Sequence, residues 1–195
     1  MESSHEVIRA FLAVEVPDSA KVWIEKKRRE LKRECKGSVR WVHKEAFHIT
    51  LHFFGNIPPQ VIGKVEAIAN SLTPRYSPFH LRLKGVGAFP NLRFPRILWV
   101  GIEDLTKEKN FRNFQRTLRS LLEQAGFSVE KRPFTPHITI GRVKRSGQCN
   151  VIPPHNSPEG PSFSVPNLTF FKSDLTPNGP IYTPLNRFAF KGEKE

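Results

Sequence analysis

The sequence is poor in sulfur and in acid, and it has no long apolar run. There are two cysteines and one methionine among 195 residues. Cys35 and Cys149 stand far apart and no CxxC pair occurs, so neither a disulfide framework nor a cysteine-based zinc site is indicated. No apolar stretch approaches the roughly 20 residues that span a bilayer, so no membrane partner is expected. The N-terminus MESSHEVIRAFLAVEV lacks a basic start followed by an apolar block and a small-residue cleavage site, so a cytoplasmic protein is expected. No GxSxG elbow is present, which weakens a covalent serine mechanism. Acidic residues number 18 against 31 Lys and Arg, a net charge of +13. Such an excess favours phosphate-rich partners, nucleic acid or nucleotide, over a merely solubilising surface.

What remains is ordinary globular material. Hydrophobic residues make up 38% of the chain, and 16 Phe and 3 Trp supply bulk for a core. Charged residues of both signs reach 25%, which is not a disordered composition. The length fits one domain, or two small lobes sharing one core.

Periodicity divides the chain into strands and helices. Residues 7–16 alternate as a strand, with Ile8, Ala10, Leu12, Val14 and Val16 on one face and Val7, Arg9, Phe11, Ala13 and Glu15 on the other. Pro17 stops it, and Asp18 stands where a helix N-cap belongs. Helices are expected over 19–35, 59–72 and 107–125. Strands are expected over 38–43, 47–55, 79–86, 96–103, 127–131, 137–143, 163–172 and 181–190. Residues 144–162, rich in Pro, Gly, Ser and Asn, read as a long loop. Strands outnumber helices and many can pair as hairpins, so the fold class is α+β rather than a doubly wound parallel sheet.

One pattern stands out. His48-Ile49-Thr50-Leu51 recurs as His137-Ile138-Thr139-Ile140, 89 residues later and close to half the chain length. On a strand, His and Thr of His-x-Thr point to one face, roughly 7 Å apart at the backbone, while the aliphatics between them enter the core. Two copies converging on one cleft supply a general base and a general acid that titrate near neutral pH. The threonine hydroxyls can donate to non-bridging phosphate oxygens. A lone histidine is more often a hydrogen-bonded core residue, but a matched pair with matched threonines in a basic chain favours function. His48 and His52 share a strand face yet lie about 13 Å apart along the backbone, too far to share one zinc comfortably, so no metal site is expected. Phe11 and Phe54, on the less apolar faces of their strands, are candidates to stack on a base, with plain packing an equal alternative. Trp41 and Trp99 are assigned to the core. The basic run KKRRELKR over 26–33 is read as a solvated face in preference to an RNA-gathering one.

With these residues in view, the chain resembles the two-histidine (2H) phosphoesterases, in particular the RNA 2′,3′-cyclic phosphodiesterases, also called 2′-5′ RNA ligases. The likeness runs through IRAFLAV, FHITLHFFG, GVGAFPN…PRILWVGI, PHITIGRV and SDLTPNGPIYTPL, nearly the whole chain in order. It implies a single domain over 1–195, bilobal, with two pseudo-twofold lobes of mostly antiparallel sheet, helices outside and a central cleft. It implies cofactor-free, metal-independent hydrolysis of a 2′,3′-cyclic phosphate, on RNA or a nucleotide, to a 2′-phosphomonoester. His48 is then the proton donor to the leaving 3′ oxygen and His137 the activator of water, while Thr50 and Thr139 are phosphate ligands. The reverse reaction, joining a 2′,3′-cyclic end to a 5′-hydroxyl, is a side activity. Arg142 matches a ligand-contacting arginine. Strict alternation puts it on the face opposite His137, unless Gly141 supplies a bulge or strand end that turns it back. A monomer is expected. The alternatives are a 2H enzyme for another cyclic nucleotide or a 2′-5′ oligonucleotide, or an RNA-binding module without turnover.

Overall fold

Alternating apolar residues early in the chain form β1 (Ile8–Glu15), whose Ala10, Leu12 and Val14 are fully buried. Pro17 ends it and α1 (Asp18–Glu34) follows. Asp18 is not the N-cap. It lies in the first turn and pairs with Lys21 at 2.9 Å, while Pro17 occupies the cap position without a side-chain bond. The computed structural model describes residues 6–35, 39–107, 110–144, 159–177 and 179–192. After α1 come β2 (Val39–Trp41), β3 (His48–Ile57), α2 (Ile62–Leu72), β4 (Phe79–Phe89), β5 (Ile97–Asp104), α3 (Asn110–Gln124), β6 (His137–Val143), β7 (Ser162–Val165), β8 (Asn167–Thr176) and β9 (Gly179–Ala189). Most of the expected loop 144–162, with Cys149, lies outside the described residues.

The expected order of elements is met, but two compensating differences lie behind it. Residues 127–131 form no strand. Phe127 belongs to the end of α3: Gly126 takes φ +88°, and the Phe127 N–H donates to the Leu122 carbonyl at 3.0 Å, which closes the helix terminus. The expected strand 163–172 is instead two strands broken at Pro166, which has no N–H to give a ladder. β7 pairs with β4 and β8 with β1, so the proline sits where the chain crosses between distant parts of the sheet. Cys35, just past α1, is disulfide-bonded, contrary to the expectation of no disulfide framework.

The nine strands of the described residues join one antiparallel sheet in the order β7-β4-β5-β6-β3-β1-β8-β9, with β2 on β6. It divides into two halves of the same plan. β1 and β3 flank α1 in one half, and β5 and β6 flank α3 in the other. The halves meet along β3 and β6 at one registered pair, Ile49 opposite Ile138. The three helices cover one face of the sheet. Ile24 of α1, Leu72 of α2 and Phe114 of α3 join Leu12, Ile49, Val100 and Ile138 in one core. The opposite face carries a small separate cluster of Phe11, Ala13 and Phe171, with Tyr182 against it. No helix among the described residues is long and apolar enough to cross a membrane.

Candidate active site

The Ile49–Ile138 rung brings the two repeats together. Both isoleucines are fully buried, so their neighbours point to the opposite face. Antiparallel register sets His48 across from Thr139 and Thr50 across from His137. The two histidines are then a diagonal cross-strand pair, about 7–8 Å apart at the backbone. All four motif side chains share one face of the sheet at the pseudo-twofold axis.

Immediately after each threonine the strand carries a bulge. Against β1, Ala13 pairs with Thr50 and Leu12 with His52, which leaves Leu51 as the extra residue. Against β5, Trp99 pairs with Thr139 and Leu98 with Gly141, which leaves Ile140 extra. Each bulge reverses the alternation beyond it. Arg142 is thereby returned to the cleft, by a bulge one residue earlier than Gly141. Its charge acts on His48, His137 and Tyr182 alike. Gly141 has a different use: a Cβ there would lie 2.9 Å from Val39 and 3.1 Å from the Trp41 ring, so it lets β2 lie close on β6.

The same reversal in β3 moves Phe54 away from the face it was expected to share with His48 and Thr50. Its ring packs on the core side against His52, Phe127 and Phe170. Phe53 takes the open position instead. It is 47% exposed, with the Arg9 guanidinium 4.5 Å from its ring centre. Phe11 does lie beside His48, at 4.8 Å between ring centres, but it is 3% exposed and stacked on Phe171, which closes its faces to a base.

Each histidine is held in the same way. The Nδ1–H of His48 donates to the Ala46 carbonyl at 2.8 Å, and that of His137 to the Thr135 carbonyl at 2.7 Å. In both cases the acceptor lies two residues upstream. Nδ1 thus keeps the proton in the neutral ring and Nε2 is the working nitrogen. Thr50 donates to Nε2 of His48 at 2.9 Å. Burial pushes the His48 pKa down to about 4. The Ala46 bond opposes this, and the charges of His137 and Arg142 add to it. Burial, and then Arg142, also lower His137. Without ligand both rings are neutral at pH 7, and a bound phosphodiester anion favours their protonation.

An aromatic wall stands behind each ring. Tyr182 meets His48 edge-on at 5.1 Å and Phe11 at 4.9 Å. Phe89 meets His137 edge-on at 5.0 Å, with Trp99 at 6.2 Å. Trp99 is therefore a wall of the site rather than a core residue, while Trp41 packs against the core as expected. Gly87 makes this possible, since a Cβ there would stand 2.3 Å from the indole ring. Tyr182 and Phe89 carry no role in the sequence reading, and Trp99 is assigned there to the core. Tyr182 follows a turn-rich stretch, and the strand carrying Trp99 is apolar on both faces, so alternation marks no open side. Among the described residues no three His, Cys, Asp or Glu side chains come together as a metal-ligating group.

Comparison with known proteins agrees with this arrangement. Residues 16–176 match the model of the 2′-5′ RNA ligase superfamily. The RNA 2′,3′-cyclic phosphodiesterase of Methanothermobacter thermautotrophicus is 33% identical over 185 residues, covering 93% of this chain and 98% of that protein. The protein of the same name from Thermotoga maritima is 33% identical over 190 residues, covering 95% and 97%. Among solved structures, TT0787 of Thermus thermophilus superposes with a TM-score of 0.78 at 28% identity, over 96% of this chain and all of that one. E. coli LigT complexed with 3′-AMP superposes with a TM-score of 0.76 at 27% identity, over 95% and 99%. Repeat, half-sheets and sequence agree, and the chain belongs to the 2′-5′ RNA ligase superfamily.

Proposed function

We propose that this protein hydrolyses the 2′,3′-cyclic phosphate at an RNA end, or on a nucleotide, to a 2′-phosphomonoester, with His48 and His137 as its acid–base pair. The observation that carries this reading is the Ile49–Ile138 rung, which sets both imidazoles and both threonines on one face about a common axis. A phosphorus at that axis has one Nε2 toward each apical position. Water attacks as His137 takes its proton, a bond forms from the water oxygen to phosphorus, and the bond from phosphorus to the 3′ oxygen breaks. His48 gives its proton to that departing oxygen. Thr50 and Thr139 donate to the non-bridging oxygens, and Arg142 offsets their charge. The names of the relatives support this substrate class, and the +13 charge suits a polyanion. The reading treats residues 1–195 as one bilobal domain, acting as a monomer.

The test is phosphorus NMR of a short RNA ending in a 2′,3′-cyclic phosphate, incubated with the protein in excess EDTA. The expected product is the 2′-phosphomonoester. A 3′-phosphate reverses the leaving oxygen and overturns the regiochemistry. Binding of that RNA without turnover moves the protein to a binding module.

A further inference from the structure

Hydrolysis of the cyclic ester to a 2′-phosphate has a geometric corollary. The leaving 3′ oxygen and the retained 2′ oxygen belong to one ribose, so that ribose lies on the side of the acid, His48. Its base and the chain attached through its 5′ oxygen must then leave the cleft on that side. A cavity of about 270 Å³ opens there, bounded by His48 and walled by Phe171, Tyr182 and Pro184. Glu15 and Glu45 also face it. The walls suit a planar base, and Glu15, which accepts from Arg187 through Oε1 at 3.0 Å, has Oε2 to accept from an amino or imino N–H group.

The cavity continues outward. Lys21 and Glu45 line both it and a groove of about 710 Å³ that runs along α1. Lys26 and Arg29, one turn apart, line the groove on the α1 side, Lys21, paired with Asp18, stands at its cavity end, and Lys44 also lines it. From Lys21 to Arg29 the helix covers ~12 Å. The acids of the groove are engaged: Glu25 with Arg28 at 2.6 Å, Glu45 with His43 at 2.5 Å, and Asp18 with Lys21 at 2.9 Å. Lys26 and Arg29 have no ion-pair partner among the described residues. The groove is also held in shape, because Arg28 donates to the Val42 carbonyl at 2.7 Å and ties α1 to the segment that leads to Lys44.

We propose that the cavity beside His48 takes the terminal base of an RNA strand and the α1 groove carries its 5′-side phosphates, so that the protein acts on strand ends in preference to mononucleotides. This rests on the proposed function and extends it from the bond cleaved to the strand that carries it. It assigns part of the basic run 26–33 to RNA rather than to bulk solvent.

The test compares the wild type with the double variant Lys26→Glu/Arg29→Glu. Two substrates are used, a ten-residue RNA with a 2′,3′-cyclic end and a 2′,3′-cyclic mononucleotide. Arg75→Glu/Arg116→Glu, equally exposed but on the α2–α3 side, controls for net charge. The groove variant is expected to lose tenfold or more in kcat/KM on the RNA and less than twofold on the mononucleotide. Its salt slope is expected to fall by about 1.4, the share of two phosphate contacts on a single strand. The control pair is expected to change neither substrate by more than twofold. Unchanged RNA turnover, an equal loss on both substrates, or an equal loss in the control overturns the groove. A wild type inert on both substrates overturns the proposed function instead. Fluorescence anisotropy with the same RNA then still reads the groove, through a tenfold weaker Kd in the groove variant or its absence.

Discussion

The two halves of the sheet start from the same four-residue motif and finish it differently. In one half His48 is deeply enclosed, bonded at Nε2 by Thr50 and backed by Phe11 and Tyr182. In the other, His137 is more open and stands against Phe89 and Trp99. The position three residues beyond the threonine is Phe53 in one half and Arg142 in the other, each brought to the open face by the same bulge. One plan thus yields an aromatic position and a cationic one. Symmetry builds the pair of imidazoles, and the departures from it surround each ring differently. Burial lowers both pKa values, so in the proposed reaction His48 takes up the proton it donates only once a phosphodiester anion is bound.

The largest effect that probes this division comes from the histidines themselves. His48→Ala and His137→Ala are each expected to lower kcat/KM on a cyclic phosphate by about 10²–10⁴-fold. A nucleoside p-nitrophenyl phosphodiester, whose leaving group departs without a proton, separates them. His48→Ala should recover most of its rate on that substrate and His137→Ala should not. Recovery of His137→Ala instead exchanges the two roles.

A smaller effect tests the His137 wall. Gly87→Ala places a methyl where the Trp99 ring now lies, so the indole must move by about 1 Å. We expect kcat/KM to fall by about 10–100-fold, with a shifted tryptophan emission and an intact far-UV spectrum. Unchanged activity would make the Trp99 wall dispensable and the two halves less alike than their geometry.

The smallest effect concerns His52, the residue of the first half that answers to Gly141 in the second. Its ring is buried, its Nε2 has no hydrogen-bond partner among the described residues, and burial lowers its pKa to about 4. Near pH 7 it is neutral in both folded and unfolded states. Below about 6.5 the unfolded chain takes up its proton first, so stability falls as pH drops from about 6.5 to about 4. His48 titrates in the same direction. His52→Leu is expected to retain activity and to recover about 3 kcal/mol of stability at pH 4 relative to the wild type. Equal acid sensitivity of the two proteins in urea titrations at pH 7 and pH 4 would remove His52 from that account.

Long-period features were legible in the chain. The repeat placed both histidines and threonines, and amphipathic stripes placed the three helices. Single-residue events were not. A bulge at Leu51 or Ile140 has no mark such as Gly or Pro at the extra residue, so strict alternation carried Phe54 to the wrong face and left Arg142 dependent on a bulge placed at Gly141. Trp99 escaped because its strand is apolar on both faces. The apolar residues at 127–131 fitted a strand pattern, but Phe127 closes a helix end. Cys35 has no CxxC pair or other local spacing in the sequence to mark its disulfide.

The rung between Ile49 and Ile138 also makes the site a property of the whole sheet. Neither half-sheet contains a complete site, since each supplies one imidazole, one hydroxyl and one aromatic wall. The His48 wall borrows Tyr182 from the far end of the chain, because β8 and β9 return to lie beside β1. Since one chain encodes both half-sheets, matching places can carry unlike residues, as Phe53 and Arg142 do. The site is therefore assembled only by the complete tertiary fold, and no contiguous fragment of the chain holds it.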